Sequence, residues 1–186
     1  MPVVTVDLIE GYDADTKARL GDALTNAVLG VVAAPPEAVI VLMNDHKPDS
    51  YMRGGQTRRP GDPRPDPKAL VRDFLSAMEA RDLDAARAML APGFTMTFPG
   101  DARMQTLEEL VAWSKPRYAR VAKTYDQFDA LQDGGTAIVY CIGTLSGDWL
   151  DGNPFAGIRF VDRFEIEEGR LTRQDVWNDM AEARAQ

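Results

Sequence analysis

The feature that most constrains this chain is a break in pattern at Gln56 to Pro67, Gln-Thr-Arg-Arg-Pro-Gly-Asp-Pro-Arg-Pro-Asp-Pro, where four prolines and a glycine sit among polar residues. Fixed φ angles, missing amide donors and the absence of any large apolar side chain predict a semi-rigid linker over 56–67. It separates residues 1–55 from residues 68–186, which carry different hydrophobic periodicities. Its three arginines, Arg58, Arg59 and Arg64, outnumber Asp62 and Asp66 by one, so the acidic charge lies in the flanking regions. A solvated connector accounts for that composition better than an anion site does.

In the first region Val4, Val6 and Leu8 fall on one face of a strand, and Leu20, Ala23, Leu24, Ala27 and Val31 recur at helical spacing between Asp15 and about Val32. Val39 to Met43 is apolar at every position, the pattern of a strand covered on both faces, as parallel pairing through a helical crossover produces. A β-α-β unit this short encloses little interior. Its second sheet face is therefore expected to meet another subunit, which predicts a homo-oligomer.

Pro2 stands directly ahead of the first strand. Removal of Met1 makes its secondary amine the terminus, and an α-amino group titrates at about 7.7 to 8.0 before burial disfavours its charged form. A fixed, partly desolvated amine of that kind is a proton acceptor near neutral pH. Proline is equally at home at a strand edge, so the residue alone does not decide.

The surrounding residues add to that reading. Pro2-Val3-Val4-Thr5-Val6, Leu8-Ile9-Glu10-Gly11, Lys17, Leu20, Leu24, Ala27-Val28, Ala34-Pro35-Pro36-Glu37, Val39-Ile40-Val41 and Tyr51-Met52-Arg53-Gly54-Gly55 resemble the tautomerase superfamily typified by 4-oxalocrotonate tautomerase. The resemblance covers about the first third of the chain. It implies a cofactor-independent tautomerase or isomerase of a small enol or carbonyl compound, with Pro2 as general base. It also implies a hexamer built as a trimer of dimers, a dimer or trimer being the alternatives, with the proline near subunit boundaries. Two positions depart from the family pattern: its arginine after Glu-Gly is Tyr12 here, and its second-strand arginine is Ile40. Tyr51 occupies the place of an aromatic that shields the base, and Arg53 is the remaining candidate cation, ahead of Lys47 and His46. Without the two usual anchors a dicarboxylate substrate gives way to a monoacid or an uncharged enol.

Composition narrows the partners. A formal net charge of −8 and a sequence pI near 4.7 argue against nucleic acid and anionic membranes, which recruit basic surfaces. The longest apolar region, Ala27 to Met43, is broken by Pro35-Pro36. Cys141 and His46 are the only residues of their types and have no partners at metal-ligand spacing, so neither a disulfide nor a metal is expected. With no charged n-region and apolar h-region at the N-terminus, the expectation is a soluble, cytoplasmic protein acting on a small molecule.

After the linker, Asp66 caps a helix that begins at Pro67 and carries Leu70, Val71, Phe74, Leu75 and Met78 on its apolar face. Asp82-Leu83-Asp84 starts a second helix, with Leu83, Ala86, Met89 and Leu90 apolar, and Leu107, Leu110, Val111 and Tyr118 mark a third. Strands are predicted at Phe94–Phe98 and near Tyr125–Leu131, Thr136–Leu145, Ile158–Ile166 and Leu171–Met180. This order, with Ala-Arg-Asp-Leu-Asp-Ala-Ala-Arg at 80–87, Ala91-Pro92-Gly93-Phe94, and Glu168-Gly169-Arg170-Leu171 ahead of Trp177-Asn178-Asp179, resembles the SnoaL-like members of the nuclear transport factor 2-like superfamily. The resemblance covers about 68–186. The fold class expected for the whole chain is α+β: an N-terminal β-α-β tautomerase unit, then an α+β cone of helices packed on a curved, mostly antiparallel sheet.

Alternation puts Ile158, Phe160, Asp162, Phe164 and Ile166 on one face, and Leu171, Arg173, Asp175, Trp177 and Asp179 on another. A shift of one residue brings Gln174, Val176 and Asn178 inward instead. A carboxylate among aromatics must be paired or perturbed, so Asp162 is either a functional acid or base or the partner of a buried arginine such as Arg173. Tyr140, Asp162, Asp175 and Trp177 are the candidate pocket residues of this region. Trp113, Tyr118, Trp149 and Phe155 suit a ligand cavity or a filled core equally well. Two functions stay open: an enzyme using Pro2, and a scaffold whose tautomerase unit has lost catalysis while the cone binds, isomerises or cyclises a small molecule.

Overall fold

The computed structural model describes residues 1–184, which form two units divided between Pro63 and Arg64. In the first, β1 (Val3–Ile9), α1 (Ala14–Leu29) and β2 (Ile40–His46) make a parallel β-α-β unit, followed by the two-residue strands β3 (Met52–Arg53) and β4 (Gln56–Thr57) of a small hairpin. Asp13 caps α1 by accepting from the Thr16 amide at 2.8 Å, and Gly30 follows its last turn. Val3 pairs with Ile40 and Ile9 with His46, so Val4, Val6, Val41 and Met43 share the face toward α1, where Met43 Cε lies 3.5 Å from the Cβ position of Gly21.

Two local expectations change. Leu20, Leu24 and Val28 face the sheet, whereas Ala23 and Ala27 are exposed and Val31, beyond the end of the helix, is 88 % exposed. The apolar stripe of α1 is wider than two strands can cover. Val39 to Met43 is not covered on both faces either: Leu42 is 49 % exposed, and Val3, on the same face of β1, is 55 % exposed. Among the described residues none in 1–63 is buried.

The stretch read as a linker is also more committed than its composition predicts. Gln56 and Thr57 pair with Arg53 and Met52, and Pro60 packs against Gly11, whose φ of +137° and whose ideal Cβ, 2.8 Å from Pro60 Cγ, leave room for glycine alone. Pro65 lies beside Gly169 in the second unit. Each half of the proline stretch is thus held by its own unit.

The second unit opens with α2 (Pro67–Glu79), α3 (Leu83–Ala88), β5 (Leu90–Phe98), β6 (Ala102–Met104) and α4 (Leu107–Ser114). The long strands β7 (Arg120–Asp133), β8 (Thr136–Asp148), β9 (Pro154–Glu167) and β10 (Arg170–Asn178) and the short helix α5 (Met180–Arg184) follow. Asp66 caps α2 through the Lys68 amide and Asp82 caps α3 through the Ala85 amide, as their positions ahead of the apolar runs predict. Thr106 and Glu109 form a capping box on α4, which ends at Ser114, leaving Tyr118 beyond the following turn instead of on the helix.

The sheet runs β6-β5-β10-β9-β8-β7, antiparallel throughout except where β10 meets β5. It curls: a Cβ at Gly143 would sit 1.9 Å from the Thr124 carbonyl oxygen and one at Gly147 2.0 Å from that of Arg120, so β8 needs glycine where β7 folds across it. A bulge between Tyr125 and Gln127 adds to the bend. The helices fill the concave side, where Phe74 meets Phe94 and Phe164 edge to face at 6.3 and 5.9 Å.

Candidate functional site

Pro2 precedes β1, half-buried, and its carbonyl oxygen accepts from the Ile40 amide at 3.0 Å. That bond fixes the backbone of residue 2 to the start of β2. Ile40 is half-buried beside Val3 and offers no charge where the resembled family has an arginine.

Tyr12, Tyr51 and Arg53 lie elsewhere. The parallel register puts the ends of β1 and β2 together at Ile9 and His46, and all three residues follow that end. Six register steps at about 3.3 Å put that end about 20 Å from Val3, which follows Pro2. Tyr51 and Arg53 are exposed beside His46, Ser50 and Met52, with the Tyr51 and His46 rings 6.2 Å apart. Within one copy, then, Pro2 joins Ile40 but not Tyr12, Tyr51 or Arg53. His46 is engaged by Asp7, 2.8 Å from Nε2 to Oδ1, and Lys17 on α1 pairs with Asp45.

In the second unit the interior face of β9 runs Ile158, Phe160, Asp162, Phe164 and Ile166, as alternation predicts, and Asp162 is fully buried. Its partner is Lys123 of β7, not Arg173, and Lys123 Nζ also lies 4.5 Å from the centre of the Phe160 ring. The second carboxylate oxygen of Asp162, Oδ1, accepts from no described group. Burial, then the nearby Asp162 carboxylate, pushes the Tyr125 phenol up and raises the buried Cys141 thiol to about 12.

Lys123, Tyr125 and Tyr118 line a cavity of about 140 Å³ with Gln174, Ser114 and the apolar side chains of Phe74, Leu75 and Met78. Tyr118 is raised by burial as well. Gln174 is 3 % exposed and its Oε1 accepts from no described group.

The remaining pocket candidates do not join this cavity. A bulge between Leu171 and Arg173 shifts the phase of β10, so Gln174 and Val176 lie across from Phe164 and Asp162 on the interior face. Asp175 and Trp177 therefore turn to the other face, Trp177 55 % exposed. There Asp175 accepts from Arg173 at 2.8 Å and lies 3.5 Å from Arg163, the cross-strand neighbour of Tyr140. Of the aromatic residues proposed for a cavity only Tyr118 lines this one. Trp113 packs on Phe98 at 5.2 Å and Trp149 on Phe155 at 4.4 Å.

Lys123 lies just ahead of the Tyr125–Leu131 strand that the sequence predicts; the alternation runs back through Lys123 and Val121. Gln174 appeared only in the rotated alternative, which the bulge selects. Among the described residues no cluster of three or more His, Cys, Asp or Glu is placed to hold a metal, and no helix is long and apolar enough to cross a membrane.

Comparison with known proteins matches residues 2–58 to the family model of tautomerase enzymes and residues 71–174 to that of SnoaL-like domains. A probable tautomerase of Streptococcus mutans serotype c is 36 % identical over 61 residues, 33 % of this chain and 100 % of that protein. One from Streptococcus pneumoniae serotype 4 is 38 % identical over 58 residues, 31 % of this chain and 97 % of that one. Among solved structures, an NTF2-like protein of unknown function from Burkholderia pseudomallei K96243 covers 63 % of this chain and 93 % of its own, with 24 % identity and a TM-score of 0.52. TerC, co-crystallised with polyporic acid, covers 63 % and 94 % with 16 % identity and a TM-score of 0.53. At these identities the two structures establish the fold of the second unit and nothing more.

Proposed function

The chain belongs to the tautomerase family over its first unit and to the SnoaL-like family over its second, an isomerase- or tautomerase-type pairing, and on that premise we propose a cofactor-independent tautomerase of a small enol or carbonyl compound with Pro2 as general base. The observation that carries this reading is the Ile40 amide bound to the Pro2 carbonyl, which holds residue 2 in place at the head of β1. Once Met1 is removed, an amine held this way is positioned for proton transfer instead of fraying.

Ketonisation then needs two transfers. The neutral Pro2 amine takes the hydroxyl proton of the enol, leaving an enolate, and the resulting ammonium returns a proton to the α-carbon. Negative charge builds on the enolate oxygen between these steps and calls for a cation or donors. Arg53 meets that need from a second copy of the chain, since its own lies about 20 Å from Pro2. Tyr51 of the same second copy shields the amine. The sites of Tyr12 and Ile40, where arginines are missing, favour a substrate without a second carboxylate.

Ketonisation of phenylenolpyruvate, followed by ultraviolet absorbance on protein shown by intact mass to start at Pro2, tests the proposal. Pro2→Ala is expected to lower the rate about 10²-fold or more, the range of general acid–base contributions. Mixing Pro2→Ala with Arg53→Ala, each inactive alone, is expected to restore activity through sites that draw one residue from each copy. Equal rates in wild type and Pro2→Ala would overturn the assignment of the base and leave the scaffold reading in its place.

A further inference from the structure

We propose that His46 is a second group that stabilises the enolate in the Pro2 reaction, its imidazolium Nδ1–H donating to the enolate oxygen beside Arg53 while Asp7 holds the ring by its other nitrogen. The assignment rests on the reading above, in which Pro2 of one copy meets the Arg53 end of another. His46 ends β2 on the face that carries Asp7 and Asn44, two positions beyond the Asp7–Asn44 pair of the register. Asp7 Oδ1 lies 2.8 Å from His46 Nε2 and accepts from the Asn44 amide at 3.2 Å. These bonds, that of His46 first, hold the Asp7 carboxyl below its usual 3.8, so it is ionised and only accepts, and the proton of the His46 bond sits on Nε2. Nδ1 has no partner among the described residues. The ring shares its pocket with Ser50, Tyr51, Met52 and Arg53, and Arg53 forms no ion pair among the described residues.

A carboxylate on one ring nitrogen fixes both the orientation of an imidazole and the task of the other nitrogen. Neutral, Nδ1 is a lone pair that repels an enolate; protonated, it is a charged donor. Full negative charge exists on the enolate oxygen only between the two Pro2 transfers, so a donor aimed there lowers the barrier without tightening the ground state. The proton stays on Nδ1 throughout, and both transfers remain those of Pro2. With Tyr12 and Ile40 uncharged, Arg53 and His46 together supply the positive groups that the site otherwise lacks. The other titratable or charged groups about the ring are Tyr51, Arg53, Lys47, which follows it in the chain, and Glu10, whose amide donates to the His46 carbonyl at 2.8 Å. Imidazole is the side chain among these that ordinarily changes charge between about pH 5 and 8.

The test follows phenylenolpyruvate ketonisation from pH 5 to pH 9 in wild type, His46→Gln and Pro2→Ala, each shown by intact mass to start at residue 2. Glutamine keeps an N–H for Asp7 and takes up no proton. Wild type is expected to exceed His46→Gln in kcat by at least about tenfold at pH 5, the scale of a lost oxyanion donor in a part-exposed site, with KM little changed. That ratio is expected to fall toward one as the pH rises to 9, and the titration of Pro2, common to both proteins, cancels from it. A ratio that is the same at every pH, or a loss confined to KM, overturns the assignment of His46, while a Pro2→Ala rate far below wild type leaves the base in place. Equal rates in wild type and Pro2→Ala overturn both. Should His46→Gln fail to fold, the same ratio is read from His46→Asn.

Discussion

Both units carry strands of nearly continuous apolar residues, yet only the second has an interior. Phe74, Phe160 and Phe164 are removed from solvent there by a six-stranded sheet with helices on its concave side, while no described residue of 1–63 is buried. Two strands and one helix have a single covered face, and the other face presents Val3 and Leu42 without cover from their own unit. Hydrophobic patterning therefore specifies which face seeks a partner, and the number of elements decides whether the partner lies in the same chain. The relatives that match the first unit over their whole length have no second unit to supply one. We propose that a second copy of the chain covers that face.

The contrast is broken most directly by truncating one apolar residue on each side of it. Phe164→Ala removes a fully buried ring and is expected to cost about 3 to 5 kcal/mol in urea unfolding of the second unit, at any protein concentration. Leu42→Ala is expected to do almost nothing to a dilute chain and to lower amide protection in β1 and β2 only at concentrations where copies associate. Equal costs for the two variants, independent of concentration, would mean that the first unit is complete alone.

A matched pair of ion pairs sharpens the comparison at smaller scale. Lys123–Asp162 joins β7 to β9 with the carboxylate fully buried, whereas Lys17–Asp45 joins α1 to β2 with both side chains about a third exposed. Lys123→Met strands a buried charge and is expected to cost about 3 to 5 kcal/mol. Lys17→Met is expected to cost at most about 1 kcal/mol, because water and salt screen that pair. Thermal unfolding of both variants checks the ranking, and a Lys17→Met loss as large as that of Lys123→Met would show that the first unit's pair is desolvated by association.

What the sequence made legible follows the same division. The Asp66-Pro67 and Asp82 helix starts, the parallel β-α-β order and the interior face of β9 were readable because each rests on local chemistry or on unbroken alternation. The phase of β10 was not, because the bulge at Leu171–Arg173 inserts a residue that no periodicity announces, and Asp175 and Trp177 left the pocket with it. The docking of Pro60 on Gly11 depends on a contact 49 positions away in sequence, invisible to composition. The distance between Pro2 and Arg53 is of that kind too. Spacing along a chain places residues on elements, but only the register of β1 against β2 shows that the two sit at opposite ends of the sheet.

The smallest expected effect probes the uncovered face itself. Asp7 lies on it, and hydrogen bonds from His46 and then Asn44 hold its carboxyl below the usual value of 3.8. A carboxylate with a depressed folded value stabilises the fold above its unfolded value, and that stabilisation is lost as pH falls through the folded value, here below 3.8. In an isolated unit the group is open to solvent and its bonds are screened, so Asp7→Asn is expected to lower neutral-pH stability only slightly and to remove the further fall seen in wild type as the pH drops below 3.8. Covering the face with a second copy changes the terms, because Asp7 and His46 then lose water together and their bond is no longer screened. Urea unfolding of wild type and Asp7→Asn at pH 3 and pH 7, each at low and high protein concentration, separates the cases. A difference that grows with concentration at pH 7 places the second copy over β1 and β2, and one that never depends on concentration leaves that face to solvent.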